Sequence, residues 1–463
     1  MNPSWRGLAV ASLCWLPTLA AAGDEDVFVA VVAGSVITVS GEEYSPGTIV
    51  IRNGRIEAVG KRVEVPPQAR VIDAEHEVVM PGFVNPRSRF GLSDYDRTGN
   101  HADLRASAEL FARPGEYRPL LEAGFVAVGL IPGGSGIPGT SDVIRPRLSA
   151  PVRPHEPATL ASVLLGEGYL RITMAALPAD KQTLSAAFQA AKEAIAREEK
   201  ARAAWEAKQK KEAAEAATKA KEAGEKKPDP EKPGAKSPAP PGKEGEKPEA
   251  KKPPEFEPPA IPPALKPFVA ILRKQADAIP RILVELHQAS DLLHFQYSFG
   301  KHGLKPAFFV MNQSEWRGRI LLESDFFHVI DALATGEQGA SAPVVVIYPQ
   351  LTSEPFTKTQ RSLPAELARA GAAVAFVPLR DDQGGHTELR AAVAELVRSG
   401  LSRDVALRAL TSVPAGLLGL GDDLGSLEKG RRADLAFLSG DPFEAGSKVT
   451  RVMLDGELVG ADR

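Results

Sequence analysis

Short apolar runs alternate with amphipathic stretches through the middle of the chain, while both ends carry a denser β pattern. Residues 27–39 are rich in Val, Ala and Ile, and residues 48–52 read as a second strand. Asn53-Gly54 then supplies a two-residue hairpin turn, because both residue types tolerate positive φ, and residues 56–59 return. At the far end residues 433–438 and 449–454 are strand-like, and Asp455-Gly456 is a second tight-turn dipeptide before residues 457–459. Two small β segments at opposite ends predict one domain assembled from both termini. Between them, residues 125–130, 282–286, 307–311, 343–348 and 372–378 are strand-like, and residues 363–370 and 388–399 have helical spacing. That alternation predicts a parallel sheet covered by helices. The pattern alone does not separate a barrel from an open sheet.

One stretch breaks the alternation. Residues 187–223 are dominated by Ala, Lys and Glu, which favour helix but offer few apolar positions for packing. Residues 226–263 are dense in proline with Lys and Glu between, and such a segment buries too little apolar surface to offset its ordering entropy. It reads as an extended insertion, either a tolerated surface excursion or a tether to envelope material or a protein partner. Residues 1–22 carry Arg6, an apolar run and a terminal Ala20-Ala21-Ala22, which is the pattern of a secretory leader cut before Gly23. That predicts export to the periplasm or outside the cell. Cys14, the only cysteine, lies inside this leader, and Leu13 before it does not suit a lipoprotein site. The mature chain then has no thiol and no transmembrane segment, and it holds together by core burial. With 463 residues and a formal net charge of −3, the chain has room for two or three folding units and lacks the basic field that a nucleic-acid partner requires.

Residues 79–89, Val-Met-Pro-Gly-Phe-Val-Asn-Pro-Arg-Ser-Arg, resemble the start of the barrel in the amidohydrolase superfamily, where Pro-Gly and two apolar residues precede an acid and then His-x-His. Residues 411–419 and 425–435, ending Lys429-Gly430-Arg431-Arg432-Ala433-Asp434-Leu435, are similar to the tail of the same superfamily, especially its imidazolonepropionase-like branch. The resemblance implies an α/β fold: a (β/α)8 TIM-type barrel plus a small β-sandwich domain built from both chain ends. The implied division is a leader over 1–22, sandwich over 23–80, barrel over 81–186, insertion over 187–263, barrel again over 264–411 and sandwich over 412–463. It also implies hydrolysis of amide or cyclic amide C–N bonds by water activated on a divalent ion.

The ligand positions do not follow the family. Arg87 and Arg89 replace His-x-His, and Asn85 replaces the acid before it. A guanidinium keeps its proton and has no free lone pair, so neither arginine can hold a cation. Glu285 stands where the resemblance places a histidine after the fifth strand, with His287 two residues on and expected on the same side. Asn312 stands at a second histidine, and Leu379 at the aspartate after the eighth strand, with Asp381 and Asp382 following. None of the eight histidines forms a His-x-His or His-x-x-x-His pair. A relocated zinc site built from Glu285, His287, Asp381 and His386 is the alternative. The glycine-rich segments 131–136 and 138–141 lack the endings of a phosphate-binding loop and read as a loop at the barrel mouth.

The sequence therefore predicts a non-catalytic binding protein without a cofactor, with candidate binding residues Arg87, Arg89, Glu285, His287, Asn312 and Asp381. The arginines are expected to pair with Glu285 and Asp381, forming a salt-bridged plug or a pocket for a small-molecule or anionic ligand. The competing readings are a zinc-dependent hydrolase with unorthodox ligands and a structural envelope protein.

Overall fold

The computed structural model describes residues 26–110, 117–146, 164–174, 178–224, 255–316, 319–335 and 342–459. The expected leader over 1–22 and most of the proline-rich segment lie outside these residues.

Both chain ends enter one sheet. Strands Phe28–Ile37, Gly47–Arg52, Arg55–Gly60 and Arg70–Pro81 join Leu435–Leu438, Val449–Leu454 and Glu457–Val459, and the short Glu43–Tyr44 pairs with the first strand. The junction is antiparallel, with Pro81 opposite Leu435 and Val78 opposite Leu438. Instead of the two layers of a sandwich, the hydrogen bonding makes a single eight-stranded sheet. It curls so that Ile56 near one edge and Met453 near the other share a core with Val31 and Phe437. The two tight turns meet across the curl. A Cβ on Gly54, whose φ is +77°, would stand 2.7 Å from the Asp455 carbonyl oxygen, so only glycine fits there.

The second sheet is the barrel: β1 (Phe83–Ser88), β2 (Phe125–Leu130), β3 (Gly139–Ile144), β4 (Leu164–Met174), β5 (Ile282–Leu286), β6 (Ala307–Val310), β7 (Val344–Ile347) and β8 (Ala373–Phe376). Neighbours pair in chain order, and β8 comes back beside β1, so the sheet is nearly closed. All pairs are parallel except those of β3, which runs antiparallel to both β2 and β4. The cause is length: residues 131–138 are too few for a helical crossover, which takes a dozen or more, so the chain returns antiparallel. Those residues are not a plain loop either. Gly133–Ile137 forms a strand that pairs with Asp96–Asn100.

Residues alternate sides along each strand. Val84, Tyr169, Leu283, Phe309, Val346 and Ala375 share the core inside the barrel, whereas Ile172, Val284, Phe308, Val345 and Phe376 pack outward under the helices. Val452, Leu454 and Leu418 belong to the inner cluster too, which places the terminal sheet against the barrel floor. The Ala/Lys/Glu-rich stretch is one helix, Pro178–Gly224. Its first turns are anchored by buried Leu184, Phe188 and Ala191, and Phe188 stacks on His302 at 4.3 Å. Beyond the core the helix is exposed, and Phe256 on the returning chain meets Trp205 at 5.8 Å. Among the described residues no helix is long and apolar enough to cross a membrane.

Candidate functional site

The inward alternation that buries Leu283 also turns Glu285 inward at the end of β5, and the one that buries Tyr169 turns Arg171 inward on β4. The two side chains meet with β1's Arg87 inside the barrel. Arg171 donates from Nη2 to Glu285 Oε2 at 2.8 Å and from Nε to Oε1 at 3.0 Å. Arg87 donates from Nε to the same Oε1 at 2.7 Å, and its guanidinium lies 4.3 Å from the centre of the Phe309 ring. Burial alone pushes the Glu285 carboxyl up, but the charges and hydrogen bonds of Arg171 and Arg87 outweigh it and hold the group well below the usual carboxylate range. Burial works against the charge on Arg87 as well, and Glu285 more than offsets it.

The remaining Arg171 donor fixes the glycine-rich segment above the site. Nη1 donates to the Pro132 carbonyl at 2.7 Å and to that of Gly134 at 3.0 Å. Arg89 turns the other way, with Nη1 2.7 Å from Asp96 Oδ1 and Nη2 donating to the Ser93 carbonyl at 2.8 Å. Its link to Asp381 runs through the backbone N–H, not through the expected guanidinium pairing. Asp381 also accepts from Ser88 Oγ at 2.7 Å, which ties the chain after β8 to the end of β1.

Asn85, in the place of the family's acid, donates from Nδ2 to His386 Nε2 at 2.9 Å. The His386 Nδ1 faces the Asp382 carbonyl at 2.7 Å, an acceptor, so Nδ1 is assigned the hydrogen and Nε2 is left to accept from Asn85. Burial pushes the imidazole below its ordinary value, more than the Asp382 carbonyl and the charges of Asp381 and Asp382 raise it. Asn312 is fully buried and donates to the Tyr348 carbonyl at 3.1 Å, while its Oδ1 has no partner among the described residues. His287 is not part of the site. It follows the end of β5, is exposed, and lies just before helix Ala289–Phe299, where its backbone N–H donates to Asp291. Arg171 and Tyr348 were missed from the sequence, although the alternation Tyr169, Arg171, Thr173 among buried apolar neighbours carried a signal for the first.

A divalent cation does not fit this donor set. Both Glu285 oxygens are taken by guanidiniums, and two positive charges sit where the cation would have to stand. The Asn85 Oδ1 accepts the Arg87 backbone N–H, which leaves, among the described residues, the Asn312 Oδ1, a single neutral oxygen, as the free donor atom of the two amides. Among the described residues no three His, Cys, Asp or Glu side chains gather into a cluster able to hold a metal.

A model of the amidohydrolase family matches residues 384–459, which run from the helix after β8 through the last strand of the terminal sheet. An amidohydrolase from Thermotoga maritima MSB8 superposes with a TM-score of 0.60 over 93% of this chain and 99% of that one, at 20% identity. The chain thus has the fold of that amidohydrolase and carries an amidohydrolase-family segment over residues 384–459. A dihydroorotase from Anaeromyxobacter dehalogenans (strain 2CP-C) is 46% identical over 52 residues, which is 11% of this chain and 12% of that protein. A zinc-bound adenosine deaminase from Xanthomonas campestris covers 93% of the chain at 15% identity, with a TM-score of 0.45.

Proposed function

We propose that this amidohydrolase-fold protein is exported and acts by binding at the barrel mouth, without a metal and without hydrolysing its ligand. The observation that carries the reading is the clamp on Glu285: the carboxylate that stands where the resemblance places a ligand histidine is held by Arg87 and Arg171 through three hydrogen bonds. Breaking such a buried pair costs about 3–5 kcal/mol, so freeing the carboxylate to coordinate a cation is expensive. Replacing a metal by fixed guanidiniums keeps the barrel electrically satisfied and removes the Lewis acid that hydrolysis in this family uses. The leader-like residues 1–22 support export, and the Lys/Pro-rich insertion supports a tether to a protein or envelope partner.

Metal analysis of the purified full chain, expressed with added zinc, tests the reading. The expected result is substoichiometric metal and no change on chelation. About one zinc per chain, lost in Glu285→Gln, favours a hydrolase with unorthodox ligands and overturns the proposal.

A further inference from the structure

Arg87 spends only part of its guanidinium on Glu285. Nε makes that bond, and among the described residues no acceptor meets the two terminal nitrogens, while the side chain keeps 20% of its surface exposed. Arg171, by contrast, commits all three of its guanidinium nitrogens, to Glu285 and to the Pro132 and Gly134 carbonyls. A second donor stands nearby. Tyr348 packs edge-on against Phe309 at 5.5 Å, and Arg87 lies over the same ring, so the three side chains form one contiguous group. The Tyr348 hydroxyl meets no partner among the described residues, and burial pushes it above its ordinary value against the pull of Arg87, so it keeps its proton and can donate.

From this we infer that the barrel mouth binds a small organic monocarboxylate, held bidentately by the two terminal nitrogens of Arg87 and by the Tyr348 hydroxyl. The inference rests on the metal-independent reading above and names the ligand class of that site. Geometry favours it because a planar fork matches a carboxylate, and the bond strengthens where the pair is partly removed from water. Charge counting favours a monoanion: two guanidiniums against one carboxylate leave a single unit of positive charge in the triad. Asp381, which also acts electrostatically on Tyr348, opposes any second negative charge, so a phosphate dianion fits less well. A cationic ligand meets the unspent guanidinium and is repelled.

The test uses the full-length chain treated with chelator and then titrated by calorimetry with acetate, benzoate, inorganic phosphate and sulfate. Benzoate is expected to bind and to raise the melting temperature. Acetate is expected to bind as well, and phosphate and sulfate at least about tenfold more weakly than benzoate. Tyr348→Phe, which removes a hydroxyl without a protein partner and so leaves folding intact, should weaken benzoate about fivefold. Arg87→Lys keeps a charge but loses the fork, and should weaken it more than about tenfold. Absence of carboxylate binding at millimolar concentration, equal binding of phosphate, or unchanged affinity in Tyr348→Phe each overturns the inference. If the metal-free chain binds no carboxylate, this inference falls and the metal-independent reading stands. If carboxylate binds only after zinc is restored at one ion per chain, the metal-independent reading falls.

Discussion

Glu285 is charged in a place nearly closed to water, and three hydrogen bonds from two guanidiniums make that tolerable. His386 is the opposite case, a titratable group that the fold keeps neutral. Its Nε2 accepts from Asn85, and its ring packs between Phe125 at 5.1 Å and Phe90 at 5.9 Å. Protonation would set an N–H against the Asn85 amide hydrogens and place a charge among those rings. Because burial depresses the native value below the ordinary 6.5, the unfolded chain takes up a proton first as pH falls. Stability from neutral His386 is therefore full above about pH 6.5 and is lost progressively below it. Urea unfolding at pH 7.5 and pH 5.5 should show a smaller loss in His386→Gln than in the wild-type chain. An equal loss in both would mean that the other histidines and the carboxylates carry the dependence. From sequence alone Arg87, Glu285 and Asn312 could be placed at the barrel mouth, because the family's motif spacing carries them there. The Arg171 bond to Glu285 could not, since it joins two strands separated by the long insertion.

Among the elements, the segment between β2 and β3 departs furthest from what its sequence suggested. Glycine density read as a loop, yet Gly133–Ile137 runs parallel to Asp96–Asn100 and lies over Arg171. Hydrophobic periodicity cannot reveal such a strand, because it has almost no side chains to alternate. The glycines are there for close approach. At Gly134, φ is +111° and a Cβ would stand 1.7 Å from the Arg97 carbonyl oxygen, whereas at Gly99, φ is +104° and a Cβ would meet nothing within 4 Å. Both alanine substitutions incur left-handed backbone strain of about 1–2 kcal/mol, but only Gly134→Ala must also push the two strands apart. Denaturant titration should therefore place Gly134→Ala clearly below Gly99→Ala in stability, with the excess loss accompanied by loosening of Arg171. Equal losses would show that the pairing over the barrel mouth is slack. The barrel strands β2 and β5 to β8 were legible because each is a short run of buried apolar residues. The antiparallel course of β3 was not, since it depends on connection length.

At the scale of the whole molecule, barrel and terminal sheet are locked by charge as well as by the apolar floor. Arg145, just past β3, is almost fully buried and donates from Nη2 to Asp434 Oδ2 at 2.7 Å and from Nη1 to Asp455. Asp434 is the aspartate of the Ala433-Asp434-Leu435 tail motif, and its Oδ1 accepts the Asp455 backbone N–H at 2.7 Å. That gives this motif a physical reason: it anchors the sheet's last hairpin and receives a cation from the barrel. Burial already raises Asp434 above its ordinary value even with Arg145 pulling it down. Removing the guanidinium in Arg145→Met leaves a buried carboxylate with weaker compensation, at a cost of about 3–5 kcal/mol near neutral pH. The raised native value makes the sign definite. The variant's Asp434 is stabilised by taking up a proton, so its deficit against wild type should shrink as pH falls from 8 to 5. Thermal unfolding of both chains across that range measures it. A deficit that stays constant or grows towards low pH would show that Arg145 holds the two sheets by packing alone.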